Sequence, residues 1–303
     1  MKCTNKIRRL VQNKYHQLFA SEVEVVFCLR RNRVYSISTL DNLGFNERFD
    51  RVTCFLNPLS GPCFLEGVRA GDVLAIRILD IGVSRDLGIS SQGILPEFIS
   101  KKHSKPVLGK EVVYWEITGG HCFSVCDAEF SRIEVEQELM VGCIRCSDLV
   151  DEGACLSSLA ADEFGGNLDC KFFKNGATVY LPVTHDSALF YIGDIHFNQT
   201  FGEVGGSGIE VPGEVVFTVE KCDRPKHNSL HVEVEGVIYF LGVSDDITQS
   251  ICNAYGHAFE ALVNSNVVDE PTARLLLGHR ALLLVMKLGV PNVVVVGVDV
   301  KYF

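Results

Sequence analysis

The feature that most constrains the fold is a succession of short runs rich in valine, isoleucine, phenylalanine and tyrosine. Each is bounded by glycine, proline, asparagine or aspartate, and the series continues to Gly242 and then stops. β-branched and aromatic side chains suit a pleated, half-buried surface, and turn formers between the runs hold each one to strand length. EVVYWEIT and HCFSVCDAEF meet at Gly119-Gly120, which predicts a two-residue hairpin with Trp115 in the core. EVEVVF and VYSISTL, on either side of the basic turn Arg30-Arg31-Asn32-Arg33, predict another, running from Glu22 to Leu40. Asn57–Ile81 turns tightly at Gly71-Asp72 into a long alternating strand, and TVYLPV, ALFYIGDI, EVVFTVE and LHVEVEGVIYFLG carry the pattern on. Residues 1–242 are therefore expected to form a mainly β body. A faint echo between Gly67–Ile81, ending in LDI, and Phe173–Ile195, ending in GDI, raises a duplicated β-fold and is too weak to establish it.

Residues 243–303 follow another period and are expected to add a helix–helix–strand segment packed on the body. Asp245 and Asp246 can cap a helix whose apolar face is Ile247, Ile251, Ala254, Ala258 and Leu262. Asp269, Glu270 and Pro271 open a second helix, expected to run through the leucines to Leu288 until Pro291 stops it. Val293–Val300 then reads as a buried strand. His257 and His279 lie in these helices, where packing or a solvated face accounts for them.

With 303 residues the chain can bury a substantial core. A formal net charge of −10 argues against nucleic acid or an anionic membrane as partner and favours a neutral or cationic small molecule. The longest apolar stretch, Ala281–Val298, is broken by Lys287, Gly289 and Pro291, so no membrane span is expected. The first nineteen residues are basic without a secretory core, and cytoplasmic residence is the expectation. The twelve cysteines then read as reduced thiols, most of them small core residues. Cys143 and Cys146 make a CxxC, but the only nearby second pair, Cys122 and Cys126, lies in strand-like sequence, which disfavours a zinc knuckle.

Chemistry concentrates between Phe164 and Glu210. Several glycines, Asp169, Asp194, His196 and Glu203 lie there among strand-like runs that can bring them to one rim. Asp194 and His196, two apart, point the same way on an extended chain. Such a group can hold a divalent cation or do acid–base work on a small substrate. Each residue taken singly also fits a turn or a satisfied core group, and the pattern leaves both readings open. Asp41, closing a strand, is likewise either a turn residue or a further carboxylate on that rim.

Five ordered motifs carry a resemblance. GPCFLEGVRAGDVL from Gly61, LMVGCI from Leu139, FGGNLD from Phe164, VYLPV from Val179 and GDIHFNQTFGEV from Gly193 resemble GPxYVEGAxPGDVL, PMIGVIG, HGGNMD, LYLPV and GDxHxxxGDGEV. Those are patterns of the acetamidase/formamidase family, and the likeness runs in order over roughly Asp41 to Phe303. It implies a β-sandwich-like body with appended helices and a metal-dependent amidase that hydrolyses a short amide to a carboxylate and ammonia. It implies Asp169 and His196 as metal ligands, Asp194 and Asp41 as further contributors, and Glu203 as general base, with the amides of Gly165 and Gly166 holding the oxyanion. The cofactor implied is a divalent ion, zinc first, with calcium or manganese as alternatives, and a homodimer is an accompanying expectation. Two departures stand out. Phe164 replaces a histidine, and Thr200-Phe201 replaces Gly-Asp, so a catalytically degenerate member that binds a small ligand or serves as an interaction subunit is the alternative.

Overall fold

The computed structural model describes residues 6–20, 24–91, 94–100, 112–125, 132–146, 155–184, 186, 189–222 and 227–303. Two large sheets face each other. Among the described residues the first has nine strands, in the spatial order Arg8–Leu10, Val34–Thr39, Gly213–Cys222, Val73–Val83, Thr178–Pro182, His231–Val234, Val237–Ser244, Asn292–Asp299 and Leu282–Lys287. The second has eleven, with Leu189–His196 near its middle, paired to Met140–Cys146, Leu59–Leu65 and Glu210–Val211. Tyr35, Ile76, Phe217 and Val232 of the first sheet and Cys63, Trp115, Ile144 and Ile195 of the second share one buried cluster, which is the sandwich core. LDI of the sequence echo falls in the first sheet and GDI in the second.

Helix α1, Ile247–Asn264, is capped by Asp246, whose side chain accepts from Gln249 N at 2.8 Å, a contact worth about 1 kcal/mol. α1 and α2, Glu270–His279, cover the outer face of the first sheet, with Ala254, Ala258, Leu262 and Leu277 against Ile238, Phe240, Val296 and Val298. The chain after residue 242 thus supplies both the helical layer and two strands of the same sheet. His257 is structural: its Nδ1–H donates to Leu241 O at 2.8 Å. Among the described residues no helix is long and apolar enough to cross a membrane.

Several expectations need correction. Phe27–Leu29 and Val34–Thr39 do not form a hairpin; the former pairs in parallel with Leu59–Leu65 of the second sheet, the latter with Gly213–Cys222 of the first. Alternation marks a strand without naming its partner, and here the turn carries the chain across the sandwich. The second helix ends at His279, not Leu288, because Leu282–Lys287 forms a strand that covers the edge of the buried Asn292–Asp299 strand. A helical reading of those leucines would leave a row of backbone groups unpaired there. Cys126 lies outside the described residues. The Gly119-Gly120 hairpin forms as expected, with φ of 59° and 80°.

Cys143 and Cys146 sit on one strand in different apolar clusters, Cys143 with Phe19 and Tyr191 on the outer side and Cys146 in the sandwich core. They are not a ligand pair, and the buried Cys63, Cys122, Cys143 and Cys170 are free thiols.

Candidate metal and active site

Val141, Ile144 and Cys146 face the sandwich core, and so do Phe190, Ile192, Ile195 and Phe197 on the neighbouring strand. On both strands the inward positions change parity, at Gly142 on one and Asp194 on the other. Asp194 makes the change with a φ of 63°, which takes it out of the core alternation and leaves it beside His196. Asp194 Oδ1 lies 3.4 Å from His196 Nε2. Gly142 makes the space: a Cβ there would stand 2.6 Å from Asp194 Oδ2 and 2.7 Å from Asp169 Oδ1.

Asp169 follows the Gly165–Asn167 strand and is folded back onto Gly142, whose carbonyl accepts from the amides of both Leu168 and Asp169. Glu203 is presented by a tight loop in which its amide donates to Thr200 O and its carbonyl accepts from Gly206 N. Asp169, Asp194 and Glu203 have φ of 47°, 63° and 42°, three of the eight non-glycine residues with positive φ among those described. Backbone of this kind costs about 1–3 kcal/mol per residue and persists where the surroundings hold it, often at functional sites. Glu210 completes the group from the strand paired to His196, with Oε1 3.2 Å from Nε2. Lys287 enters from the edge of the other sheet; its Nζ donates to Asp169 Oδ2 at 2.6 Å and Asn167 O at 3.2 Å.

The protonation of His196 follows from its neighbour. Gln199 Nε2 donates to two backbone carbonyls, Asp169 O at 2.8 Å and Met286 O at 3.3 Å, so Gln199 Oε1 must face His196 Nδ1, 2.7 Å away. An amide oxygen only accepts, so Nδ1 carries a proton. In a neutral ring Nε2 is then a bare lone pair, surrounded by oxygens of Asp169 at 3.8 Å, Asp194 at 3.4 Å and Glu210 at 3.2 Å. That arrangement repels unless a cation, a proton or a metal ion, stands among those atoms. Outer contacts of the Gln199 kind fix the tautomer of many metal-binding histidines.

The electrostatics agree. His196 is held well above the ordinary imidazole range: burial opposes its charge, and Glu210 and Asp194 outweigh that. Burial also works against the Asp194 carboxylate, but His196 and its hydrogen bonds, with Lys287, bring it below the usual range. Burial and the charge of Asp169 push Glu203 well up, and burial, opposed by His196 and aided by Asp194, pushes Glu210 up to about 8. Four ionised carboxylates would outnumber one lysine and one histidine, and the upward shifts of Glu203 and Glu210 answer that excess in the absence of a further cation.

Metal ligation fits these residues. Asp169, His196 and Glu203 form one group, and Asp194, His196 and Glu210 another, with ligand atoms within 4.8 Å in each. Both need the one Nε2, so they describe alternatives for a single ion. Asp169 Oδ1, Asp194 Oδ1 and Glu210 Oε2 are buried without a hydrogen-bond partner among the described residues, as atoms awaiting a cation would be.

The structure brings Asp169, Asp194, His196 and Glu203 together, and it places the other sequence candidates elsewhere. Asp41 belongs to neither ligand group: its Oδ1 accepts from Leu43 N and Phe45 N, and its Oδ2 pairs with buried Arg85 at 2.8 Å. Gly165 and Gly166 are paired on both sides, with Ile144-Arg145 and with Ala161-Asp162, so their amides belong to the sheet and not to an oxyanion hole. Their glycine identity comes from close strand packing, since a Cβ would stand 2.4 Å from Ile144 O at Gly165 and 2.2 Å from Ala160 O at Gly166. Phe201 is half exposed against Phe172 and Lys171. Phe164 lines a separate cavity of about 500 Å3, walled also by His227, Leu230, His257 and Ala261.

Three members were missed. Of Glu210, Gln199 and Lys287, two left traces in the sequence: Glu210 and Lys287 interrupt apolar strand runs, where a charge bound for solvent is out of place. Gln199 left none, because its role depends on backbone carbonyls far away in the chain.

Comparison with known proteins supplies the context. The Acetamidase/Formamidase family matches over residues 147–246. A formamidase of Methylophilus methylotrophus is 24% identical over 203 residues, 51% of this chain and 49% of that protein. An acetamidase of Mycolicibacterium smegmatis is 26% identical over 221 residues, 54% of this chain and 52% of that one. The chain spans about half the length of these curated relatives. Among solved structures, the acetamidase of Bacillus halodurans superposes with a TM-score of 0.81 at 22% identity, covering 97% of this chain and 98% of that one. The acetamidase of Yersinia enterocolitica gives 0.83 at 18% identity, covering 99% and 94%. At those identities the structural likeness speaks for the fold, and the family match over residues 147–246 takes in His196. The chain thus has an acetamidase-like fold and is similar in sequence to the acetamidase/formamidase family over residues 147–246.

Proposed function

We propose that the protein hydrolyses the C–N bond of a short-chain amide, R–CO–NH2 + H2O giving R–COO− and NH4+, with one divalent cation bound at His196. The observation that carries this reading is the Nε2 of His196, directed by the Gln199 contact at Nδ1 into a ring of carboxylate oxygens. Asp194 and Glu210, or Asp169 and Glu203, would hold the ion with His196. One imidazole nitrogen with carboxylates suits zinc first and manganese next; calcium, which prefers an all-oxygen shell, suits it less. A cation so placed supplies Lewis acidity, polarising a carbonyl and bringing the ionisation of a water toward neutrality.

The chain's own residues divide the remaining work. His196 is oriented by Gln199 and keeps Nε2 directed at the carboxylates. Glu203, which burial and Asp169 make more basic than an ordinary carboxylate, takes a proton from the attacking water and returns it to the leaving nitrogen. The near-complete burial of Asp169, Asp194 and Glu210 limits water around the ion, which strengthens each interaction inside. The degenerate alternative drew on Phe164 and Phe201. Neither belongs to the carboxylate–histidine groups, so those substitutions leave the proposed chemistry its residues.

The reading predicts ammonia release from a panel of formamide, acetamide, propionamide and benzamide by metal-replete protein. Release from at least one aliphatic amide, lost after chelation and restored by zinc or manganese, is expected. No release from any amide with each metal supplied refutes it.

A further inference from the structure

We propose that Lys287 is a catalytic residue, its ammonium binding the amide carbonyl oxygen and stabilising the negative charge that develops there. The proposal rests on the amidase reading above. It starts from the chemistry: a hydrogen-bond donor at the oxygen that becomes an oxyanion would add to the polarisation a cation supplies, and Gly165 and Gly166 have their backbones committed to the sheet. Lys287 brings donors of the required kind.

Its placement is specific. Lys287 is the last residue of an edge strand in the first sheet, whereas the carboxylates and His196 are carried by the second sheet and its loops. A register shift between Val285 and Lys287 alters the strand's pairing just before the lysine. The backbone on either side is tied to the loop that presents Glu203: Met286 O accepts from Gly202 N and Gln199 Nε2, and Leu288 N donates to Gly202 O. The positions of ammonium and proposed base are thus coupled through one short loop.

An ammonium has three donors. Two reach Asp169 Oδ2 and Asn167 O, and the third has no partner among the described residues. The Lys287 side chain is 15% exposed, against 2% for Asp169, which puts the lysine nearer solvent than the carboxylate it pairs with. Asp169 holds the ammonium in place from behind, so little reorganisation is needed as charge builds on the oxygen.

The test compares wild type, Lys287→Met and Lys287→Gln in the zinc-loaded full chain, measuring ammonia release, bound zinc and thermal unfolding. Both variants are expected to fold and bind one equivalent of zinc while kcat/KM falls by about 100- to 1,000-fold, mostly in kcat. Methylammonium added to Lys287→Met is expected to restore part of the rate, which a purely structural lysine would not allow. Wild-type rates in either variant overturn the proposal while leaving the amidase reading intact. Loss of activity that tracks loss of zinc or of fold in both variants, without rescue, overturns it in favour of a structural role. Absence of ammonia release from wild type removes the amidase reading and this proposal together.

Discussion

Gly142→Ala is expected to abolish metal retention and turnover while leaving the sandwich folded. The added methyl would stand 2.6 Å from Asp194 Oδ2 and 2.7 Å from Asp169 Oδ1, in the space between two carboxylates that the candidate ion requires. Nothing about the backbone torsion forbids alanine: Gly142 is absent from the positive-φ glycines, although the strand register passes over it between Val141 and Cys143. The clash therefore falls on the side chains of the site. Metal affinity should drop by about 100-fold or more, at least as much as is lost when supporting contacts around a metal are removed, and kcat/KM should fall with it. Gly256→Ala, on α1 with open space around its Cβ, is the control and should leave zinc content and rate unchanged. Zinc content by mass spectrometry and ammonia release decide the comparison, and a Gly142→Ala protein that keeps both places the ion elsewhere.

Glu203→Gln is expected to separate binding from chemistry. Glutamine preserves the shape of the side chain in its turn and removes only the ability to take a proton. If Asp194, His196 and Glu210 hold the ion, the variant keeps one equivalent of metal while kcat falls by about 100- to 10,000-fold, the usual contribution of a general base. Stability should not suffer. Burial and the neighbouring Asp169 disfavour a charge on Glu203, so a neutral isostere relieves repulsion, and the unfolding temperature should stay level or rise. Loss of metal in Glu203→Gln would move Glu203 from base to ligand and select the Asp169, His196 and Glu203 group. Unchanged turnover with metal bound would remove it from the mechanism.

The mainly β fold was legible in the sequence because strand runs and turn residues are local signals, and so were the α1 cap and face. Strand partnership was not, as the crossing between Phe27–Leu29 and Val34–Thr39 shows, because alternation sets which residues face inward and says nothing about the neighbouring strand. The leucines after His279 were misread for a related reason: an apolar run without clean periodicity takes its structure from the partner available, here the unpaired edge of Asn292–Asp299.

The site shows the same division. Asp169, Asp194, His196 and Glu203 are close in sequence and rich in chemistry, and they converge. Asp194 and His196 do so by a route that alternation alone misses, since the parity change at Asp194 is what keeps it out of the core. Asp41 looked equivalent from its strand-end position, yet Arg85 engages it, and an ion pair across such a separation has no local signature. Lys287 and Gln199 act through the neighbouring sheet and backbone carbonyls, so only the assembled sandwich shows them.

The most direct measurement is a zinc titration of chelator-treated wild type and His196→Ala, following bound metal and ammonia release from formamide and acetamide together. Wild type should bind one equivalent tightly and regain activity in step with that equivalent, while His196→Ala should bind at least 100-fold more weakly and stay inactive, given one Nε2 at the meeting point of the carboxylates. Activity in wild type that is indifferent to zinc, or a His196→Ala protein that binds metal and turns over as wild type does, would contradict a metal-dependent amidase centred on His196.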